Sequence, residues 1–312
     1  MRGDHAGVGR EPAETFSAVR QDPHSPVGQV LVVDAGSSMT KLALVTGGDL
    51  TPLGAFPTGD DGSPGWLARF ETLVAAPAAA SRAIDYVAMS SVTRHPLEQL
   101  RSWSRRGGVP IRVLSAESVD LPVDYRPRSA LGLDRLANAV AVIERWGAPA
   151  VAVDVGTAVT CDVIAEGPRF AGGAIAPGPV AAYEGLVGRV PHLAQAGGLS
   201  LLGDLQVVPT STAEAVRAGV LGGTAALVDG FVLRYQRLVG PCPVVVTGGL
   251  GTLVGHRSET ITAIDPFLTL RGIHLATRPA CDRNPSASAP TRERGARHGR
   301  APQTVAPGNG GA

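Results

Sequence analysis

The chain has 312 residues, 44% hydrophobic and 18% charged, a globular composition sufficient for one large domain or two ordinary ones. A formal net charge of +1 offers no electrostatic footprint for a nucleic-acid partner, and Cys161, Cys242 and Cys281 form no CxxC pair or zinc-spaced cluster, as expected of reduced thiols. No apolar run is expected to span a membrane and residues 1–27 lack a signal-peptide pattern, so the expectation is a cytoplasmic protein with no membrane partner.

In chain order, residues 1–27 are polar, carry no hydrophobic period and read as a flexible extension. QVLVVDAG from Gln29 and TKLALVTGG from Thr40 predict strands, and WLARFETLVAA from Trp66 predicts a helix. YVAMSSV from Tyr86 is the next strand, LEQLRSWSRR from Leu97 a helix, and IRVLS from Ile111 a strand. LDRLANAVAVIERW from Leu133 predicts a helix, followed by strands AVAVDVG from Ala150 and VTCDVIAEG from Val159. FAGGAIAPG, residues 170–178, reads as a Gly-rich loop, either packed on the sheet or offering backbone to a substrate. Residues 211–238 predict one long helix, opened by Ser211 and Glu214 in a capping-box pattern. CPVVVTGG from Cys242 is the last strand, and residues 278–312, rich in Pro, Ser, Arg and Gly, read as a disordered tail. Alternating strands and helices argue for an α/β fold.

An internal repeat organises the core. VLVVDAGSSMTKLALV from Val30 aligns with AVAVDVGTAVTCDVIA from Ala150, placing Asp34 on Asp154, Gly36 on Gly156, Ser37 on Thr157 and Thr40 on Thr160. Each copy reads as a β-hairpin, and the repeat implies two similar α/β domains facing a cleft, at residues 28–124 and 125–277.

Asp followed by Gly and a hydroxyl is ordinary turn composition. It also suits phosphate: Gly36 lets backbone approach an anion, Ser37 donates a hydrogen bond, and Asp34 holds a cation or its waters. Lys41 is the only lysine in the chain and is either an exposed strand residue or a positive charge for phosphates. Gly248 and Gly249, at a strand end, form a tight turn or leave room for a base or ribose. Asp134 and Arg135 open a helix, as a dipole-compatible start or as a base beside an anion clamp. Neither a Walker A pattern nor a GxGxxG after a strand is present.

Taken in order, DAGSSMTK, the MSSV strand end, YRPRSALGLDR, VDVGTAVT, GGAIAPG, STAEAVRAG, VTGG and DPFLTLRGI resemble the type III pantothenate kinases, from about Gln29 to Leu275. The resemblance implies duplicated ribonuclease H-like domains of the acetate and sugar kinase/Hsp70/actin superfamily. It implies ATP-dependent phosphorylation of pantothenate, the first step toward coenzyme A, by a homodimer. ATP would come with Mg²⁺, and a monovalent cation, K⁺ or NH₄⁺, would be required. By the same resemblance Asp134 is the general base, and Tyr125, Gly132, Leu133, Arg135 and Thr212 bind substrate, with Arg135 on its carboxylate and Thr212 reaching across the dimer. Asp34, Gly36, Ser37, Lys41, Thr157, Gly248 and Gly249 serve ATP. Asp34 meets the divalent metal through the phosphates, and Asp154 holds the monovalent cation. The chain departs from the family's pattern at Ser37, where Asn is usual, and at Leu250, where an acid is usual. Two alternatives remain at this point: a divergent kinase of another small alcohol, and a non-catalytic nucleotide-binding regulator.

Overall fold

Each half of the fold begins with two strands folded back on each other. In the computed structural model, residues 28–59, 65–75, 84–196, 198–201 and 203–279 are described. The expected N-terminal extension, the tail from residue 280 and Cys281 lie outside them. The first sheet takes β1 (Gln29–Ala35), β2 (Met39–Thr46), β3 (Asp49–Pro57), β4 (Ile84–Ser91) and β5 (Ile111–Val113), in the order β3-β2-β1-β4-β5. β1 runs antiparallel to β2 and parallel to β4. Its near-continuous Val/Leu run is what a strand buried on both faces requires. On the outer face, helices α1 (Trp66–Val74) and α2 (Arg94–Gly107) enclose an aromatic series, Phe56, Trp66, Phe70 and Trp103, with successive centroids 5.7, 5.5 and 5.2 Å apart.

The second half follows helix α3 (Leu133–Trp146) and repeats the scheme. Strands β6 (Ala150–Val155), β7 (Ala158–Ala165) and β8 (Arg169–Pro177) precede helices α4 (Pro179–Arg189), α5 (Thr212–Arg217) and α6 (Gly223–Val239). Strand β9 (Val244–Thr247), helix α7 (Gly251–Gly255), strand β10 (Ala263–Ile264) and helix α8 (Leu268–Thr277) complete the chain's described part. The sheet order, β10-β9-β6-β7-β8, is the first sheet's order in reverse listing, with β6 in the place of β1.

Residues 170–178 are not a loop: β8 pairs with β7 along its whole length. Glycine is needed there because a Cβ at Gly173 would lie 2.2 Å from the Cys161 carbonyl oxygen. The long helix expected over 211–238 is interrupted by a π-turn at Ala218–Gly222. Its cap is formed as expected, with the Glu214 amide donating to Ser211 Oγ at 3.3 Å. The run Thr212–Val239 is, by length and composition, long and apolar enough to cross a bilayer, contrary to the sequence expectation. Here Ala225, Val228 and Val232 pack it against the second sheet.

α3 and α8 lie between the two sheets. Leu136, Ala137 and Val142 of α3 and Leu268, Leu270 and Ile273 of α8 share one core with Val30 and Val32 of β1 and Ala150 and Ala152 of β6. α8, although last in the chain, packs on β1, β2 and β4 of the first sheet. The two helices approach at Gly272, where a Cβ would lie 1.9 Å from the Ala137 carbonyl oxygen. The described chain up to Thr277 forms one compact unit.

Candidate active site

Side chains alternate across a strand, so each residue's face follows from its neighbours. Val30 and Val32 face α3 and α8, and Asp34 continues that inner face. Across β2 its register partner is Lys41, and across β4 it is Ser90. In the second sheet Asp154 occupies the same place on β6, between Thr160 of β7 and Thr247 of β9. The sequence alignment of Thr40 with Thr160 is therefore corrected. The first turn is one residue longer, and Thr160 stands where Lys41 stands. Thr40 faces the outer core, where it accepts a hydrogen bond from Trp66 Nε1 at 3.0 Å.

Asp34, Asp154 and Asp134 are close enough to act on one another electrostatically. Burial pushes the Asp34 carboxyl up to about 7; Lys41 opposes this, while Asp154 and Asp134 add to it. Asp34 nevertheless keeps part of its surface open to the cleft. Asp154 is also raised, by burial first and by Asp134, against the opposing influence of Asn138 and Lys41. Asn138, one turn beyond Asp134 on α3, donates to Asp154 Oδ2 at 3.1 Å and accepts from Thr269 Oγ1 of α8 at 2.8 Å. Three carboxylates thus share one ammonium, a charge excess suited to cations. Among the described residues, no group of three His, Cys, Asp or Glu could hold a metal alone. A divalent ion at Asp34 would therefore draw further oxygens from a bound ligand.

Asp134 lies in the first turn of α3, half-buried, its Oδ1 accepting from the Arg135 amide at 2.8 Å. Gly132 precedes it because a Cβ there would lie 2.5 Å from that oxygen. Arg135 is not available as a free anion clamp. Its Nε and Nη2 donate to Asp162 of β7 at 3.1 and 2.5 Å, with both side chains buried. Burial pushes the Asp162 carboxyl up, Arg135 pulls it back, and it settles at about 6, so the pair is charged at neutral pH. The guanidinium carbon lies 5.3 Å from the Tyr125 ring centroid and 5.5 Å from that of Phe170. Tyr125 sits on a loop that returns its carbonyls to Arg128, which donates to Ala116, Val119 and Leu121 oxygens at 2.8–3.0 Å. Leu133 packs partly into the core beneath Asp134.

The two hairpin turns meet. Ser38 Oγ and Thr157 Oγ1 are 2.8 Å apart and share a hydrogen bond. Ser37 is exposed beside it. The Gly36 amide donates to the Met39 carbonyl at 3.1 Å, so glycine serves turn geometry there rather than offering its own N–H. At the end of β9, Gly248 has φ +96°, and a Cβ on it would lie 2.4 Å from the Val155 carbonyl oxygen and 2.5 Å from Asp154 Oδ1. Space around Gly249 is open, with nothing within 4 Å of a Cβ. A nucleotide cradle fits these turns: exposed hydroxyls, close backbone and one ammonium.

Thr212 stands apart from the acids. It is exposed on a cavity of about 700 Å³ lined by apolar residues of α4, α5 and α6, among them Leu186, Val216 and Leu227. That cavity contains none of the three carboxylates. Ser90, Asn138 and Thr269 were not expected. Ser90 lay in the MSSV strand end without a role, and nothing in the sequence joins Asn138 to Thr269.

Comparison with known proteins agrees with the geometry. Residues 30–234 match the family model for type III pantothenate kinase. The type III pantothenate kinase of Halalkalibacterium halodurans is 37% identical over 195 residues, covering 62% of this chain and 76% of that protein. That of Thermomicrobium roseum is 31% identical over 251 residues, covering 79% and 96%. A Baf-family transcriptional activator structure from Campylobacter jejuni has a TM-score of 0.51 at 21% identity, covering 79% of this chain and 96% of that one, a likeness of fold. The strand order repeated in the two sheets fits the duplicated α/β fold expected from the sequence. A match running from the first hairpin into the helix after Thr212 makes the chain a member of the type III pantothenate kinase family.

Proposed function

We propose that the cleft performs its family's reaction, phosphorylation of pantothenate by ATP at the start of coenzyme A biosynthesis, with Asp134 receiving the substrate hydroxyl. The observation that carries this reading is the gathering of Asp34, Asp134, Asp154 and Lys41 between two touching hairpin turns. Phosphoryl transfer asks the protein chiefly for positioning and charge neutralisation. Asp134, half-exposed at the helix start, orients the primary hydroxyl and takes its proton. Tyr125, Gly132 and Leu133 border the substrate side, and Arg135 positions Tyr125 and the start of α3 rather than gripping the carboxylate.

Ser37, Lys41, Thr157 and the turns at Gly36, Gly248 and Gly249 hold the nucleotide. Asp34 fits a divalent cation shared with the phosphates: burial and two neighbouring acids raise its carboxyl to about 7 against Lys41, and a bound cation would hold it ionised. Mg²⁺ bound there supplies neutralisation of the phosphate charge. Asp154 fits K⁺ or NH₄⁺. Thr212, remote from its own chain's acids, serves the partner's site in a homodimer. Residues 28–124 and 125–277 act as the two halves closing on ATP. Two free thiols, Cys161 and Cys242, suit a cytoplasmic location.

Purified protein with ATP, MgCl₂ and pantothenate, with and without KCl, tests the reading by mass spectrometry. Phosphopantothenate is expected, and Asp134→Ala is expected to abolish it with an unchanged circular dichroism spectrum. Near-normal turnover in that variant would remove Asp134 from its role. Product from another alcohol but none from pantothenate would make the chain a divergent kinase.

A further inference from the structure

Thr247 is 1% exposed, and its Oγ1 has no hydrogen-bond partner among the described residues. A buried hydroxyl left unpaired costs free energy comparable to a lost hydrogen bond, so the site invites a ligand. The hydroxyl sits on the inner face of β9, in register with Asp154. Asn138 occupies Asp154 Oδ2, and among the described residues no hydrogen bond reaches Oδ1. Oδ1 is directed instead toward Gly248, whose missing side chain keeps it and the Val155 carbonyl oxygen uncovered. That carbonyl accepts from the Leu250 amide at 3.0 Å, and a carbonyl oxygen has two lone pairs.

The geometry points to Thr247 as a ligand of a monovalent cation, its Oγ1 joining Asp154 Oδ1 and the Val155 carbonyl in an all-oxygen pocket. This inference rests on the assignment of Asp154 to that cation and adds the residue that completes it. The charge argument selects the ion's valence. The pocket offers one carboxylate and otherwise neutral oxygens, which balances a single positive charge. A divalent ion demands more carboxylates or keeps several waters, and the close-set Gly248 backbone leaves it little room for them. Across Asp154, Thr160 Oγ1 is likewise buried without a hydrogen-bond partner among the described residues, but it bears on the Asp162 carboxyl, whereas Thr247 adjoins the Gly248 turn that leaves Asp154 Oδ1 uncovered.

The test uses the full chain and two readouts, thermal midpoint and turnover, in KCl against choline chloride at equal ionic strength. Wild type is expected to show a K⁺-specific rise in midpoint without substrates. Thr247→Val keeps the side chain's shape and removes the oxygen; its half-saturating K⁺ should rise roughly tenfold or more. Thr247→Ser restores the oxygen and should restore the response. Asp154→Asn is the control for the underlying assignment. A wild-type K⁺ response in Thr247→Val, with loss in Asp154→Asn, overturns the role of Thr247 and leaves Asp154 in place. A K⁺ response retained in Asp154→Asn, or absent from wild type, overturns both. A raised KM for ATP with unchanged K⁺ saturation in Thr247→Val would place the hydroxyl on nucleotide instead. Should the valine variant not fold, Thr247→Ser alone decides: a weakened K⁺ response there, without the methyl but with the oxygen, contradicts the inference.

Discussion

Gly272→Ala adds one methyl group to α8, far from any substrate, and is expected to damage both stability and cation use. The new Cβ would lie 1.9 Å from the Ala137 carbonyl oxygen of α3, where anything under 3.0 Å is not tolerated. The helices must therefore separate by about 1 Å at that point. Three residues earlier on α8, Thr269 donates to Asn138 of α3 at 2.8 Å, and a shift of that size carries the bond past hydrogen-bonding range. Asn138 then loses the partner that orients it toward Asp154. Alanine favours a helix by about 1 kcal/mol over glycine, but overpacking a tight contact costs about 1–3 kcal/mol, so a net loss of up to about 2 kcal/mol is expected. Urea unfolding measures it, with Gly223→Ala as control, since a Cβ there meets nothing within 4 Å and α6 should gain stability. The K⁺ dependence of turnover should weaken in Gly272→Ala and not in the control. A Gly272→Ala protein at least as stable as wild type, with normal K⁺ dependence, would refute the coupling of α3 to α8 through this contact.

Three further outcomes are expected. Lys41→Met removes the only ammonium facing Asp34 and Asp154; KM for ATP should rise roughly ten- to hundredfold, with little change for pantothenate. At Asp229 burial acts to raise the carboxyl, but hydrogen bonds from Ser258, Thr260 and the Glu259 amide outweigh it and leave it below its ordinary 3.8. That stabilisation is full above 3.8 and is lost as pH falls through the lower folded value. Asp229→Asn should thus lower the thermal midpoint at pH 7 and flatten its fall below pH 3.8; an unchanged acid limb contradicts this. Ser37→Asn changes an exposed turn position to the side chain usual in the family and should leave KM for ATP equal or lower. A marked rise would mean that the pocket is rebuilt around serine.

What the sequence disclosed follows physical rules. β1, β4, β6 and β9 were legible because doubly buried strands are Val/Ala/Leu runs. β3 was not, because DLTPLGAFP is an edge strand, mostly exposed, that tolerates Pro52 and a bulge opposite Leu42 and Ala43. α8 escaped for the opposite reason. Leu268, Thr269, Leu270, Gly272, Ile273, Ala276 and Thr277 are all buried, so no polar face marks a helical period. The acids Asp34, Asp134 and Asp154 were legible because carboxylates at strand and helix ends stand out. Their neighbours were not. Register brings Ser90 and Thr247 beside them, and Asp162, 27 residues from Arg135, changes that arginine's task.

The two hairpins also show how a duplicated scaffold acquires different work on its two sides. Each places an aspartate at the end of a central strand, flanked on the parallel side by a hydroxyl, Ser90 or Thr247. On the antiparallel side the copies differ: Lys41 faces Asp34, and Thr160 faces Asp154. The extra residue in the first turn produces this difference, because it brings Lys41 rather than Thr40 to the inner face. The first position therefore sets an ammonium directly beside its carboxyl, suited to phosphates that bring their own negative charge and metal. The second has neutral hydroxyls as both register partners of its aspartate, suited to a monovalent ion that stays in place. Asn138 and Asp134, one turn apart on α3, link the second position to the reacting end of the cleft, so ion occupancy at Asp154 bears on the helix that presents the proposed base.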